Sequence, residues 1–201
     1  MANIYLLRHG ETDWNREHRL QGNLDVYLNK AGLGQASALA RRLENLPIQA
    51  VFTSPLGRAR QTAAIVSAKR KWPVDIIDDL REIDHGVWTG MRLKTIMQRH
   101  PSQFSVWQFD PDRLFLERAE QLREAYRRAA RFLSWILKRV PNGDVLVVGH
   151  GVINSLLLCA ATGRKVGRIW EFPQANASLA VLRTHRRTIV SAEYLKDEAI
   201  N

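Results

Sequence analysis

The chain has a single cysteine in 201 residues, Cys159, set in the apolar stretch INSLLLCAA. Without an intrachain partner it excludes a disulfide framework and a cysteine-based metal centre, and it fits a reducing compartment, the cytoplasm. Cys159 itself reads as a core residue. No run approaches the roughly 18 continuous apolar residues of a membrane span, so no membrane partner is expected. Met-Ala-Asn leads straight into a strand-like run, with no basic region, long apolar segment or small-residue cleavage site of an export signal. Internal repeats, low-complexity tracts and linkers are absent. His18, His100 and His185 lack ligand-like spacing to acids or other histidines, so no metal is expected.

Acid is also in short supply: 20 Asp and Glu stand against 30 Lys and Arg, a formal charge of +10. Such a field attracts phosphates, nucleic acids and anionic surfaces alike. No zinc-finger spacing, RNP-like segment or aromatic-interleaved basic run accompanies it, so nucleic acid is not the expected partner. Much of the excess lies in ERAEQLREAYRRAARFLSWILKRV, where Leu122, Ala125, Ala129, Phe132, Leu133, Ile136 and Val140 recur at helical spacing. Arg123, Arg127, Arg128 and Arg131 take the other positions, as on a solvated helix face.

What is present is an ordinary core-forming composition, 45% apolar and 25% charged, in a length that suits one domain over residues 1–201. Short β-like runs alternate with helical patterns. NIYLLR precedes a helix near Ala31 to Leu46, AVFTS precedes one near Arg58 to Ala68, and PVDII follows. An irregular, Trp-containing middle from Gly86 to Pro111 leads to the arginine-rich helix, then DVLVVGH, a helix near Val152 to Ala161, SLAVLR and TIVSAEY. Strands such as IYLLR and VLVVG lack polar alternation, as in a sheet covered on both faces. The expected fold is α/β, a three-layer α/β/α sandwich with a mostly parallel mixed sheet.

In such a sheet ligands bind at the carboxyl ends of strands. Arg8 and His9 lie at one such end, Thr53, Ser54 and Arg58 follow a second, and His150 closes a third. Helix N-termini nearby would favour an anion, so the edge has the makings of a phosphate site.

These segments resemble the histidine phosphatase superfamily, in the branch of cofactor-dependent phosphoglycerate mutases and their phosphatase relatives. LLRHGETDWN resembles the opening motif, LNKAGLGQA the next with Asn29 in place of Thr, and TSPLGRARQTA the second arginine motif. LREIDHGVWTG and VLVVGHG are similar to the motifs of the acid and the second histidine. The resemblance implies a phosphoglycerate mutase-like fold, no metal or cofactor, and a small phosphate ester as partner. His9 would be the nucleophile, neutral when it attacks. Arg8 and Arg58 would hold the phosphate, their forks matching pairs of oxygens, and His150, expected cationic, would contact the transferring group. Glu82 would serve as the proton carrier. Asn15, the backbone at Gly10 and the position of Gly151 would add phosphate contacts, and Gln21, Gly22 and His85 would approach the rest of the substrate.

One departure is that Ala119-Glu120-Gln121 stands where relatives carry Gly-Glu-Ser. Gln is a poor N-cap, so the arginine-rich helix is expected to start earlier or to be capped differently. The aromatics Phe104, Trp107, Phe109 and Phe115 would either wall an apolar pocket suited to bulky leaving groups or fill a satellite core. The activity so implied is phosphomonoester hydrolysis through phospho-His9, of broad specificity. The alternatives are a phosphoglycerate mutase with the same chemistry and a basic binding protein that has lost turnover. Retention of a nucleophile, an acid and cationic anion contacts argues against the last.

Overall fold

The structure is a computed structural model, and it describes residues 2–139 and 143–195. In chain order the elements are β1 (Ala2–Arg8), α1 (Asp13–Arg16), α2 (Lys30–Leu43), β2 (Ile48–Thr53), α3 (Gly57–Ala68), β3 (Val74–Ile76), α4 (Leu93–Arg99), α5 (Pro101–Phe109), α6 (Leu122–Arg139), β4 (Asp144–Gly149), α7 (Gly151–Thr162), β5 (Leu179–His185) and β6 (Thr188–Tyr194). The sheet order is β3-β2-β4-β1-β5-β6. β1 to β4 run parallel, β5 is antiparallel to β1, and β6 is antiparallel to β5. The fold is the expected α/β one, with a mixed six-stranded sheet.

The period of two along each strand divides its side chains between two helical layers. Ile4, Leu6, Val145, Val147, Ala180 and Leu182 pack under α6 and α7, while Tyr5, Leu7, Leu146, Val148, Leu179 and Val181 pack under α2 and α3. This explains why β1 and β4 show no polar alternation. Val145 to Val148 have no exposed surface, and burying side chains of this kind contributes about 1.5–3 kcal/mol each. Among the described residues no helix is long and apolar enough to cross a membrane.

The middle segment differs from expectation. Between Gly86 and Pro111 it holds two helices, α4 and α5, parted by His100 alone, with Pro101 opening α5. Proline suits the first helical position because its missing N–H would have no partner there. Of the two expectations for the arginine-rich helix, the different cap is the one seen: the helix begins at Leu122 rather than earlier, and Val140 lies outside the described residues. Gln121 precedes α6. Its carbonyl accepts the Ala125 N–H, and its own N–H donates to Glu124 Oε2 at 3.3 Å, so Glu124 supplies from inside the helix half of a capping box. Arg123 and Arg131 pair at the surface with Asp112 and Asp79. Arg128 is not on a solvated face, for Glu120 grips it bidentately and it donates to the Asp79 and Arg81 carbonyls. That clasp fixes the segment leading to Glu82.

Candidate active site

Strand register builds the site. Arg8 pairs with Gly149 and Thr53 with Val148, so the residues that follow, His9, His150 and Ser54, emerge side by side. The His9 N–H donates to the Gly149 carbonyl at 3.1 Å and the Ser54 N–H to the Val148 carbonyl at 3.1 Å. The loop after β1 then lies on the first turn of α2 with no room for a side chain. A Cβ on Gly10 would come within 2.6 Å of the Gly32 carbonyl oxygen, and one on Gly32 within 2.1 Å of that of Glu11. Thr12 caps α1 and Asn29 caps α2, so both helices are anchored beside the loop.

His9 is 2% exposed. Its Nδ1 lies 2.7 Å from the Gly10 carbonyl oxygen, so Nδ1–H donates there, and Arg58 Nε donates to the lone pair on Nε2 at 3.3 Å. Burial, then Arg58 and Arg8, hold the imidazole well below its ordinary pKa. It is neutral, with its lone pair on the atom beside the guanidinium.

Arg58 does not hold an open fork. Nη1 donates to the Leu24 carbonyl and Nη2 to that of Gly22, both at 2.8 Å. Burial, aided by Arg8, brings its pKa down to about 10, so it remains charged at neutral pH. Arg8 Nη1 donates to the Gln174 carbonyl, while its buried Nε has no partner among the described residues.

His150 differs from the expected cation. It has no exposed surface, packs edge-on to His9 with ring centroids 5.1 Å apart, and is held well below its usual pKa by burial, Arg58, His9 and Arg8. Its Nε2 is 2.7 Å from Ser54 Oγ, which also accepts the Leu56 N–H. Among the described residues Nε2 is the acceptor placed for the Ser54 hydroxyl proton, so the ring proton is assigned to Nδ1, which is buried without a partner there.

Glu82 reaches the N-terminus of α7. Its Oε1 accepts from the Ile83 and Ile153 N–H groups at 3.0 and 3.1 Å, and Oε2 accepts from Val152 at 3.0 Å. It caps the helix that His150 precedes, and it lines one cleft of about 340 Å³ with Arg8, His9, Arg58, Asn15 and Gly151. Asn15 Oδ1 accepts from Thr12 and Asn176, and Nδ2 has no partner among the described residues. Gln21, Gly22 and His85 line the same cleft. Gly10 does not, since its N–H donates to Thr62 Oγ1 and its contribution is to hold His9. His85 stands edge-on to Trp107 and is kept below its usual pKa by burial.

Of the four aromatics singled out in the sequence, only Trp107 lines the cleft. Phe109 and Phe115 are exposed, and Phe104 packs on the core. Trp107 is joined by Trp170, whose Nε1 donates to the Trp107 carbonyl and whose ring lies 4.9 Å away, edge to face. Sequence reasoning missed Trp170, Arg19, Gln174, Thr62 and Asn176. Thr62 had a signal, one helical turn after Arg58, and its hydroxyl donates to the Arg58 carbonyl. Asn176 had none without the sheet order. It precedes β5, whose antiparallel course starts beside the end of β1, and Nδ2 donates to the His9 carbonyl at 3.2 Å. Among the described residues no three His, Cys, Asp or Glu side chains gather as a metal site.

Two imidazoles at adjacent strand ends, flanked by two buried guanidiniums and a carboxylate, define a phosphate-handling α/β enzyme. Residues 4–196 match the histidine phosphatase superfamily (branch 1), and the chain belongs to that family. It is 34% identical over 187 residues to phosphoserine phosphatase 1 of Hydrogenobacter thermophilus, covering 93% of this chain and 89% of that one. Among solved structures, Bacillus stearothermophilus YhfR superposes with a TM-score of 0.88 at 33% identity over 94% of each chain. A mycobacterial glucosyl-3-phosphoglycerate phosphatase gives 0.87 at 26% identity over 96% of each. The protein is a phosphatase of the histidine phosphatase type.

Proposed function

We propose that this phosphatase hydrolyses small phosphorylated metabolites in the cytoplasm through a phosphohistidine on His9, without a metal, residues 1–201 acting as one domain. The supporting observation is the tautomer of His9, with Nδ1–H on the Gly10 carbonyl and the Nε2 lone pair beside Arg58. In the first step Nε2 attacks phosphorus, the phosphorus–oxygen ester bond breaks, and Glu82 gives its proton to the departing alkoxide. In the second, water attacks phosphorus, the phosphorus–nitrogen bond breaks and Glu82 takes the water's proton, releasing inorganic phosphate and neutral His9. Arg8, Arg58, Asn15 Nδ2 and the N-terminus of α7 at Gly151 stabilise the phosphoryl charge. His150, neutral before phosphate arrives, offers Nδ1–H as a donor. Gln21, Gly22 and His85 surround the leaving group. The Trp107–Trp170 wall meets that group by shape rather than by directed hydrogen bonds, which supports tolerance of varied esters.

The test is p-nitrophenyl phosphate turnover in excess chelator, with trapping of an acid-labile, alkali-stable phosphoenzyme. The hydrolase is separated from a mutase by supplying 3-phosphoglycerate with and without 2,3-bisphosphoglycerate. Phosphate release is expected to dominate, and bisphosphoglycerate-dependent isomerisation faster than phosphate release overturns this reading.

A further inference from the structure

Asn176 supplies none of the reacting groups, yet it touches two of the segments that do. It lies in the turn before β5, where the Ser178 N–H donates to the Ala175 carbonyl at 3.1 Å. Ala177 takes φ 58° in that turn, a left-handed backbone that residues other than glycine adopt only uncommonly. The turn is held in this form from the side of β1. The Ala177 N–H donates to the His9 carbonyl at 3.1 Å, and the Arg8 N–H donates to the Ser178 carbonyl at 3.0 Å. An outlying backbone kept by its surroundings points to a function for what it carries, and the side chain this turn presents to the loop after β1 is Asn176.

Three acceptors surround Asn176 Nδ2: the His9 carbonyl at 3.2 Å, the Gly10 carbonyl at 3.4 Å and Asn15 Oδ1 at 3.1 Å. The two amide hydrogens are shared among them. The Gly10 carbonyl is the group that takes Nδ1–H of His9, and the N–H of the same peptide, on Glu11, donates to Gln35 Oε1 at 2.8 Å. Asn15 Oδ1 also accepts from the Thr12 N–H and hydroxyl, at 3.1 and 3.0 Å. Three donors on one oxygen hold the Asn15 amide in one orientation and polarise it, so its Nδ2 becomes a stronger donor to an anion. Asn15 and His9 line the same cleft and address the same phosphoryl group, one as donor and the other as nucleophile. Asn176 spans the two, where a misplacement of about 1 Å between reacting groups costs about a hundredfold in rate.

We propose that Asn176 is a positioning residue: its NH2 holds the His9–Gly10 backbone and the Asn15 amide in one fixed relation, so that nucleophile and phosphate donor meet the phosphoryl group together. This rests on the hydrolase reading and adds a residue to that machinery. Asparagine suits the place because it carries two hydrogens on one nitrogen at the end of a short side chain. Aspartate has the same shape and no donor, and serine has a single one.

The experiment is a double-mutant cycle with Asn15, read as the single-turnover rate of phospho-His9 formation from p-nitrophenyl phosphate, with Tm followed for each variant. Asn176→Ala is expected to lower the rate by about ten- to hundredfold, the scale of two hydrogen bonds at up to about tenfold each. Asn176→Asp should lose at least as much, since it turns a carboxylate toward three acceptors, and Asn176→Ser should keep part. In an Asn15→Ala background the further loss on Asn176→Ala should shrink to about a few-fold. A merely structural role gives no such coupling, because destabilisation acts whether or not the Asn15 amide is present. Losses that combine independently in the double variant overturn the role, as does a folded Asn176→Ala within about twofold of wild type. The wild type supplies a second measurement that needs no variant to fold. In its crystal complex with orthovanadate, Asn15 Nδ2 is expected on a vanadate oxygen while Asn176 stays on Asn15 Oδ1, and an Asn15 amide turned from the anion or parted from Asn176 overturns the proposal. Failure of the wild type to label His9 overturns the hydrolase reading itself, whereas labelling without coupling in the cycle overturns only the role of Asn176.

Discussion

Replacing Glu82 by Gln changes one atom and tests two functions of that side chain at once. Both carboxylate oxygens accept backbone N–H groups, Ile83 and Ile153 on Oε1 and Val152 on Oε2. A glutamine can keep two of these through its carbonyl, but its NH2 then faces the third N–H, donor against donor. The variant loses one charge-assisted hydrogen bond, about 1.5–3 kcal/mol, and the negative charge at the start of α7, about 0.3–1 kcal/mol. The lower desolvation cost of a neutral amide offsets part of this, and a net loss of about 2 kcal/mol is expected. For a chain of this size that lowers Tm by about 4–8 °C. The catalytic loss has another signature. An alkyl phosphate needs its leaving oxygen protonated and should slow by about 10²–10⁴, while p-nitrophenyl phosphate, whose leaving group is a weak base, should slow far less. Single-turnover formation of phospho-His9 is the step to time, so that breakdown of the intermediate cannot hide the difference. Equal losses on both esters refute Glu82 as the acid of the first step, and an unchanged Tm refutes its role as the cap of α7.

His9→Ala should abolish turnover and phosphoenzyme together, and label recovered on Ser54 or Thr53 would sink the assignment. His9, His85 and His150 are buried and held below the ordinary histidine pKa. Below about pH 6.5 the unfolded chain therefore binds protons that the folded one does not, and stability falls as the pH drops, by up to about 4 kcal/mol per unit for three groups. Urea unfolding at pH 7.5, 6.5 and 5.5 measures this, and a flat profile contradicts the depressed values. Ser54→Ala leaves His150 Nε2 buried without a donor, at a cost of about 1–3 kcal/mol. It should also slow phospho-His9 formation, since the proton on Nδ1 is no longer fixed, and unaltered Tm and rate would mean that the 2.7 Å contact sets nothing.

The sequence made the chemistry legible and left its scaffolding hidden, for a physical reason. Arg8, His9, Arg58, Glu82 and His150 are read in short motifs because each is fixed by its own strand end or helix start, a local relation that a few neighbouring residues record. The layers were legible for a similar reason, since the absence of polar alternation in β1 and β4 reports burial on both faces. What was lost depends on pairings remote in sequence. Asn176 reaches the His9 carbonyl from 167 positions away, and Trp170 completes a wall begun at Trp107. Neither could be placed before the antiparallel course of β5 and the helices around His100 were known. Burial misled in the opposite sense at His150, where a phosphate contact argued for a cation and the enclosed site, with two guanidiniums close by, holds the ring neutral. The same enclosure accounts for Arg58, whose Nη atoms are held by the Leu24 and Gly22 carbonyls. A buried guanidinium must satisfy its donors within the protein, so Arg58 is fixed before a phosphate arrives and only the edge at His9 faces the reaction. Preorganisation of this kind stabilises the transition state without reorganisation at the moment of transfer, and it ties the orientation of the nucleophile to the loop of residues 22–24 that also borders the substrate.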